Sequence, residues 1–267
     1  MEFKDLDLHP ALKKAISKLN YINPTPIQEK AIPLIQEGKD LLASAQTGTG
    51  KTAAFLLPVL NRLAKPDKQP SNHPKVLILV PTRELALQVS EEAEKYSQFL
   101  PHIKVVTIFG GVPYPVQNRK LSRPYQILVA TPGRLMDHMQ RGKIKLTNIE
   151  AFILDEADRM LDMGFIRDIQ KMISQLPRQR QSLFFSATMP QEILELSQKI
   201  LGDPHKVTIK AKQATADRVE QALYYVSKKS KPNLLVHLLL ENPVDSTLIF
   251  SRTKHGADKM SLKAAQI

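Results

Sequence analysis

Residues 41–52 read Leu41-Leu42-Ala43-Ser44-Ala45-Gln46-Thr47-Gly48-Thr49-Gly50-Lys51-Thr52, and an apolar helical pattern follows from Ala53. An apolar strand that runs through a glycine-containing loop into a helix is typical of phosphate-binding loops. The glycines let the backbone curl until its N–H groups point at phosphate oxygens, and the helix N-terminus adds a positive dipole. Lys51 is predicted to neutralise the β- and γ-phosphates, and Thr52 to place its hydroxyl on Mg²⁺. The segment thus predicts a nucleoside triphosphate site in an α/β fold.

One position of this loop departs from the general pattern, because Ala45 stands where the first glycine is usual. The simpler alternative is a glycine-rich turn with a solvent-exposed lysine. The apolar strand before the loop and the helix after it favour the phosphate-binding interpretation. We therefore expect residues 45–52 as a whole to contribute to nucleotide binding.

Apolar, β-branched runs recur on both sides of the loop and alternate with helical patterns. The predicted strands are 41–44, 76–80, 105–109, 127–130, 152–154 and 182–185. Helices are predicted over 84–99, where Leu85, Val89, Ala93 and Tyr96 recur at helix spacing, and over 191–200. This alternation predicts a parallel sheet with helices on both faces, whose ligands collect at the carboxyl ends of the strands.

Acidic residues follow the predicted strand 152–154, in the sequence Asp155-Glu156-Ala157-Asp158. Carboxylates at the end of a buried strand are costly unless they serve a cation or hydrogen bonds. We expect Asp155 to hold Mg²⁺ directly or through water, and Glu156 to orient or deprotonate the attacking water. The alternative is an acid cluster that is stabilised by a helix N-terminus.

Small polar residues and arginines follow the other predicted strands. They supply backbone amides, hydroxyls or guanidinium groups, which are the groups that hold a sugar-phosphate chain. Each is an ordinary turn or helix cap when taken alone. The residues are Pro81, Thr82, Arg83, Gly111, Thr131, Gly133, Arg134, Ser186 and Thr188.

The composition limits the classes of function. The 267 residues are 42% hydrophobic, enough for one complete domain and part of another. The chain has no cysteine and its histidines are scattered, so any metal is expected to have oxygen ligands. Neither a long apolar run nor a signal-peptide pattern occurs, and we expect a soluble, cytoplasmic protein. The net charge of +12 favours a polyanionic partner, with a solvated basic surface as the simpler explanation.

In their order, these motifs resemble the DEAD-box family of ATP-dependent RNA helicases, over essentially the whole chain. Phe3 and the later sequence Tyr21-Ile22-Asn23-Pro24-Thr25-Pro26-Ile27-Gln28 resemble the family's Q motif. The resemblance implies a RecA-like ATP-binding domain over residues 1–209. It implies that Gln28 hydrogen-bonds the adenine edge, that Tyr21 packs on the ring, and that Asn23 and Thr25 belong to the same site.

The resemblance also gives roles to the other motifs. It makes Ala45 a normal member of the phosphate loop and uses Ser186 and Thr188 to couple the nucleotide state to the RNA state. It implies a monomer, and RNA-backbone contacts, independent of base sequence, by Pro81, Thr82, Arg83, Gly111, Thr131, Gly133 and Arg134. Asn20 departs from the family, where glycine is usual, and this change is expected to alter a turn more than the chemistry.

Without the family, two of these residues have simpler interpretations. Gln28 is then a solvent-facing residue on a helix, and Tyr21 is a buried aromatic that fills space in the core.

The C-terminal part has a different organisation. Residues 210–218 are small and polar and predict a linker, and 219–267 predict the start of a second RecA-like domain. Strands are predicted at 222–226 and 247–250, and helices at 232–240 and 254–265, too few elements to close a core. Residues 248–257 resemble the family's motif IV, and their sequence is most similar to that of the bacterial RhlE-like branch. The family's arginine-rich motif is absent, so the remainder of the second domain is an expected partner and weak or no activity is expected alone.

Two rival functions fit parts of this pattern. A different phosphate-loop ATPase, such as a DNA helicase or translocase, would share Lys51, Thr52, Asp155 and Glu156, but Gln28 argues against it. A non-catalytic module that binds RNA or a protein partner is the second rival, and the short second unit favours it.

Overall fold

The computed structural model describes residues 2–66, 71–201, 203–209, 220, 222–241 and 246–264. The chain divides into two compact units, Met1–Lys212 and Gln213–Ile267. The predicted linker at 210–218 lies outside the described residues. Within the described ranges, none of the helices is both long and apolar enough to cross a membrane.

The first unit is a sheet with crossover helices. Its strands are β1 (Leu41–Ser44), β2 (Val76–Leu79), β3 (Val105–Ile108), β4 (Ile127–Ala130), β5 (Ala151–Asp155), β6 (Gln181–Ser186) and β7 (His205–Thr208). A 3-10 helix (Phe3–Asp5) precedes α1 (Pro10–Lys18), α2 (Pro26–Gln36), α3 (Lys51–Leu63), α4 (Arg83–Tyr96), α5 (Tyr114–Leu121), α6 (Pro132–Gln140), α7 (Ala157–Asp162), α8 (Ile166–Ile173) and α9 (Gln191–Leu201). The strand order is β3-β4-β2-β5-β6-β1-β7, and every pair is parallel.

The sheet is covered on both faces, and successive side chains of each strand alternate between the two. Leu41 and Ala43 of β1 pack in a core cluster with apolar residues of α1, α2, α3 and α4. Leu42 of the same strand packs in a second cluster with residues of α5, α6, α7, α8 and α9. Strands buried on both faces read as continuous apolar runs, which explains why the sequence pattern found them. The predicted parallel α/β fold is confirmed.

The sequence pattern missed β7. Only Val207 of its four residues is buried, and the other three are exposed. An edge strand with one buried side chain has no apolar run, so periodicity cannot detect it. Its register is set by β1, with Leu41 opposite His205 and Ser44 opposite Thr208.

The second unit contains two helices that contact each other, α10 (Lys231–Glu241) and α11 (Lys254–Ala264), as the sequence predicted. The predicted strands at 222–226 and 247–250 are wrong, because both segments are irregular. Their apolar side chains lie in solvent, with Leu223 at 78% exposure and Phe250 at 88%. Among the described residues of this unit no side chain is buried. A strand needs a neighbour for its backbone hydrogen bonds and a core for its side chains, and neither is found there.

Candidate nucleotide and nucleic-acid sites

The sheet order separates two groups of predicted site residues. β5, β6 and β1 are neighbours, and their carboxyl ends carry the acidic motif, Ser186 and the phosphate loop. β3, β4 and β2 form the other half, and their ends carry Gly111, Thr131 and Thr82. Parallel strands bring all of these ends to one edge of the sheet, where ligands of open α/β sheets bind.

A cavity of about 520 Å³ lies at the first of these two positions. It brings together most of the predicted nucleotide site. The predicted residues that line it are Tyr21, Asn23, Thr25, Gln28, Thr47, Gly48, Gly50, Lys51, Thr52, Asp155 and Glu156. Its size falls within the range of about 300–1,000 Å³ that is usual for small-molecule sites.

Three predicted loop residues do not line the cavity but shape the loop. Ala45 is buried, and its N–H donates to the carbonyl of Ser186 at 3.1 Å. The Thr49 hydroxyl donates to the carbonyl of Gln46 at 2.7 Å, which closes the turn. A buried Ala45 against β6 explains why a larger residue would not fit at this position.

Gln28 joins the N-terminal segment to the phosphate loop. It is only 4% exposed, so the solvent-facing interpretation is wrong. Its Oε1 accepts from the Thr25 N–H at 2.9 Å, and its Nε2 donates to the Gly50 carbonyl at 3.0 Å. Gly50 has φ +90°, and a Cβ there would collide with Gln28 Nε2. The amide nitrogen carries two protons, so one donor remains for a ligand in the cavity.

Tyr21 lines the same cavity with a partly open ring. It is 39% exposed, so the space-filling interpretation is wrong, and its ring centroid lies 6.1 Å from that of Phe3. The preceding Asn20 has φ 58°. Asparagine tolerates this left-handed conformation better than most residues, which explains how it replaces glycine there.

The α4 side of this cavity was not predicted from the sequence pattern. Gln88, Glu92 and Tyr96 line it, and burial together with hydrogen bonds to Glu92 and Tyr21 raises the pKa of the Tyr96 phenol. Tyr96 had been recognised as part of the apolar stripe of the helix. The signal that could have found the site is the i, i+4 spacing of these residues on one helix face.

Three charged groups meet at the inner end of the cavity. Burial raises the pKa of Asp155 to about 6, the charge of Lys51 acts to lower it, and Glu156 acts to raise it. Lys51 is 6% exposed, and its Nζ has no hydrogen-bond partner within the described structure. Glu156 has φ 53°, and its carboxylate accepts from Arg159 at 3.3 Å. A buried ammonium group without a partner is costly and suits an anionic ligand.

Ser186 and Thr188 do not line the cavity, but contact the acidic motif through Asp158. The hydroxyl and the N–H of Thr188 donate to Asp158 Oδ2 at 2.7 and 2.8 Å. The Asp158 N–H in turn donates to the Ser186 hydroxyl at 3.1 Å. No separate role was predicted for Asp158, although its position three residues after Asp155 at the same strand end is a usable signal.

Thr82, Arg83 and Gly111 come together at the second position. The Thr82 hydroxyl caps α4 by accepting from the Leu85 N–H at 3.3 Å, and the Arg83 guanidinium lies 5.1 Å from the centre of the Phe109 ring. Gly111 has φ +84°, beside Arg83. Pro81 is buried at the end of β2 and sets the start of α4. Arg83 and Gly111 are therefore accessible to a ligand.

Arg134 connects the predicted motifs of β3 and β4. Its Nη1 donates to the Val112 carbonyl at 2.7 Å and to Gln117 Oε1 at 3.2 Å, and its side chain is 10% exposed. Gln117 is buried, and its Nε2 donates to the Phe109 carbonyl at 2.8 Å. Thr131 and the exposed Gly133 lie at the start of α6. No role was predicted for Gln117, whose single amide holds both segments together.

No group of three or more histidine, cysteine or acidic side chains that could hold a metal occurs among the described residues. The oxygen donors that line the cavity include the Thr52 hydroxyl and the carboxylates of Asp155 and Glu156. Mg²⁺ bound to a nucleotide usually has few ligands from the protein, and its other ligands are phosphate oxygens and water molecules. These residues therefore fit the predicted oxygen-ligated cation.

Comparison with known proteins gives one consistent result. The DEAD/DEAH box helicase family model matches residues 25–196. The chain is 44% identical over 260 residues to the ATP-dependent RNA helicase CshA of Listeria monocytogenes, covering 97% of this chain and 49% of that protein. It is 42% identical over 261 residues to the ATP-dependent RNA helicase DeaD of Mycobacterium tuberculosis, covering 98% of this chain and 45% of that protein.

A solved structure agrees. The crystal structure of a DEAD box protein from the hyperthermophile Methanococcus jannaschii superposes with a TM-score of 0.71 at 35% identity, covering all of this chain and 70% of that one. The chain spans about half the length of the curated relatives it matches. Assignment to the RhlE-like branch stays a prediction. The match over residues 25–196, together with a RecA-like parallel sheet, shows that the chain belongs to the DEAD/DEAH box helicase family.

Proposed function

We propose that this chain binds ATP and provides the nucleotide site of an ATP-dependent RNA helicase. The observation that carries the proposal is the single cavity at the ends of β1 and β5. It combines a free amide donor on Gln28, an open tyrosine ring and the unpartnered Lys51 beside Asp155. This combination suits an adenine at one end and a triphosphate at the other.

Different residues of the cavity bind different parts of the nucleotide. Gln28 and Tyr21 select and stack the adenine, while Asn23 and Thr25 line the same end of the cavity. The amides of residues 46–50, Lys51 and Thr52 bind the phosphates, Ala45 shapes the loop, and Thr52 and Asp155 would hold Mg²⁺. Bound Mg²⁺ supplies charge neutralisation for phosphoryl transfer. Glu156 orients the attacking water and accepts its proton, while Lys51 stabilises the developing charge on the phosphoryl oxygens.

RNA binds through its backbone at the ends of β2, β3 and β4. Arg83 and the amides around Gly111, Thr131 and Gly133 contact phosphates, and Pro81 and Thr82 set the start of α4. Arg134 is 10% exposed and hydrogen-bonded to Val112, which supports a role in holding the RNA-binding loops as well as in contacting RNA. Ser186 and Thr188 couple this surface to the nucleotide through Asp158.

In this proposal residues 1–209 form the ATP-binding domain, 210–218 a linker and 219–267 the start of a second RecA-like domain. The relatives extend well beyond the matched region, which supports a site completed by further sequence. An arginine finger contributes about 10³ to 10⁵ in rate in related phosphoryl transfers. We therefore propose weak or no hydrolysis and no unwinding by this chain alone, and a cytoplasmic monomer as its working form.

Complementation tests the proposal. A complete second domain, tethered to this chain to raise its effective concentration, is expected to restore ATP hydrolysis that RNA stimulates and DNA does not. Stimulation by DNA alone would indicate the rival translocase. RNA binding without restored hydrolysis would indicate a non-catalytic module. Hydrolysis by the isolated chain at the rate of the tethered assembly would contradict the half-site proposal.

A further inference from the structure

A second and larger cavity lies along the free edge of the sheet and shares no lining residue with the nucleotide cavity. Its volume is about 930 Å³, and it is formed by β3, the residues that flank β3, and α5. We call it the β3 groove. No residue of the predicted nucleotide or RNA sites lines it, so nothing in the proposed helicase function uses it.

The backbone along this groove has an unpaired edge. β3 is at one end of the strand order and pairs only with β4. On that side, the carbonyls of Lys104 and Ile108 accept from the N–H groups of Ile127 and Thr131. Because backbone groups alternate along a strand, the N–H and C=O groups of Val105 and Thr107 point to the opposite, free side. Such an edge is a template for another extended chain.

The side chains of the groove are apolar at its floor and basic around it. Val105 and Val106 belong to the strand, and Val116 of α5 is 51% exposed. The basic residues are Lys104, Arg119, Lys120 and Arg123, all exposed. None of the lining residues is acidic, and none of these four forms an ion pair with another described residue.

We propose that the β3 groove binds an extended segment of a protein partner that carries both acidic and apolar residues on the face turned toward α5. The segment adds a strand to β3 through the free backbone groups of Val105 and Thr107. Val106 and Val116 lie on the α5 face of the sheet, and apolar side chains on that face of the added strand cover them. Carboxylates along the segment pair with Arg119, Lys120 and Arg123, which sets its charge and its direction.

Other occupants fit the groove less well. A second copy of this chain would bring the same four basic side chains face to face, and like charges oppose such an edge-to-edge dimer. RNA would match the charge but not the open strand, because it has no peptide groups to pair with β3. The lining also contains no phenylalanine, tyrosine or tryptophan on which bases could stack.

The test uses a blocked synthetic peptide of about eight residues in which pairs of glutamates alternate with pairs of valines, so that each face of the strand carries both. This peptide is titrated into the whole chain. The double variant Arg119→Glu with Lys120→Glu is expected to weaken binding of this peptide about tenfold or more. The matched control reverses two exposed charges on α8 (Arg167→Glu with Lys171→Glu) and is expected to change the affinity less than about twofold. ATP affinity, measured for each variant, reports that the fold is intact.

A second experiment uses the unmutated protein and changes the peptide. The same peptide with N-methyl groups on every residue keeps its charges but has no N–H group to donate from either edge, so its affinity is expected to fall about tenfold. The unmethylated peptide is expected to slow hydrogen exchange at Val105 and Thr107.

Equal affinity for both peptides, or no binding of either, would overturn the proposal. A uridine oligonucleotide that displaces the peptide and loses affinity in the Arg119→Glu, Lys120→Glu variant would assign the groove to RNA instead. Concentration-dependent dimers that the same variant strengthens would assign it to a second copy.

Discussion

Replacement of Asp155 by asparagine is expected to stabilise the nucleotide-free chain at neutral and alkaline pH. Asp155 is 5% exposed, and burial raises its pKa from the ordinary 3.8 to about 6. Each pKa unit corresponds to about 1.4 kcal/mol, so the folded chain holds this carboxylate ionised at a cost of about 3 kcal/mol. Asparagine retains an oxygen that can accept the Glu156 N–H and removes that cost.

The direction of the shift fixes the pH dependence. The folded pKa of Asp155 lies above the unfolded one, so the folded state binds this proton more tightly. The contribution of the group to stability is complete below about pH 4 and is lost as the pH rises through about 6. The asparagine variant has no such loss. The free energy of unfolding of the variant, relative to the unmutated chain, is therefore expected to rise from near zero at about pH 4 to about 3 kcal/mol at about pH 8.

Urea unfolding of both chains across this pH range measures the difference directly. Asp162→Asn is the matched control, because Asp162 is exposed at the end of α7 and its replacement should leave the profile almost unchanged. With saturating Mg²⁺ and ATP the order is expected to reverse, since only the carboxylate holds the cation. A stability difference that does not depend on pH, or a variant less stable than the unmutated chain at about pH 8, would refute the reasoning.

Four further substitutions test the sites. Gln28→Ala is expected to reduce the preference for ATP over GTP about tenfold in calorimetric titrations, and equal affinities in the unmutated chain would contradict adenine recognition. Glu156→Gln is expected to abolish the hydrolysis that a tethered second domain restores, with ATP binding retained; measurable turnover would argue for another base. Arg134→Lys is expected to weaken RNA binding without changing its salt dependence, whereas Arg83→Ala should reduce the slope of log affinity against log salt by about 0.7. If the slope instead fell in the Arg134 variant and stayed unchanged in the Arg83 variant, the proposed roles of the two arginines would be exchanged.

The sequence predicted those parts of the fold that are written as continuous apolar runs. β1, β2, β4, β5 and β6 bury side chains on both faces, while β3 buries only Val106 and Ile108, on one face. Motif residues follow these strands because the carboxyl ends form the binding edge. β7 was not predicted because only one of its residues is buried. The strand predicted at 247–250 does not form because no described core covers its apolar residues. A run of apolar residues predicts a strand only where other elements can bury it.

The site was predictable where a residue acts through its own type and spacing, as Lys51 and Asp155 do. It was not predictable where a residue acts through distant partners. Gln117 and Arg134 are 17 positions apart, and only the fold brings them to 3.2 Å. Tyr96 belongs to the apolar stripe of α4, and that pattern alone predicts a core residue. Only the structure shows that its ring lies beside that of Tyr21 at the cavity.

The carboxyl edge of the sheet has two halves, one at the nucleotide cavity and one at the ends of β2, β3 and β4. They differ in how many of their buried polar groups are hydrogen-bonded without a ligand. At the nucleotide half, Lys51 Nζ has no partner among the described residues, Asp155 is buried with a raised pKa, and Glu156 holds a left-handed backbone. At the other half, the buried amide of Gln117 and the guanidinium of Arg134 are already hydrogen-bonded. Unsatisfied buried charges lower stability until a counter-charge arrives. A triphosphate with its cation should therefore change the energetics of the first half most, and Asp158, bonded to Thr188 and Ser186, is one described contact through which that change reaches β6.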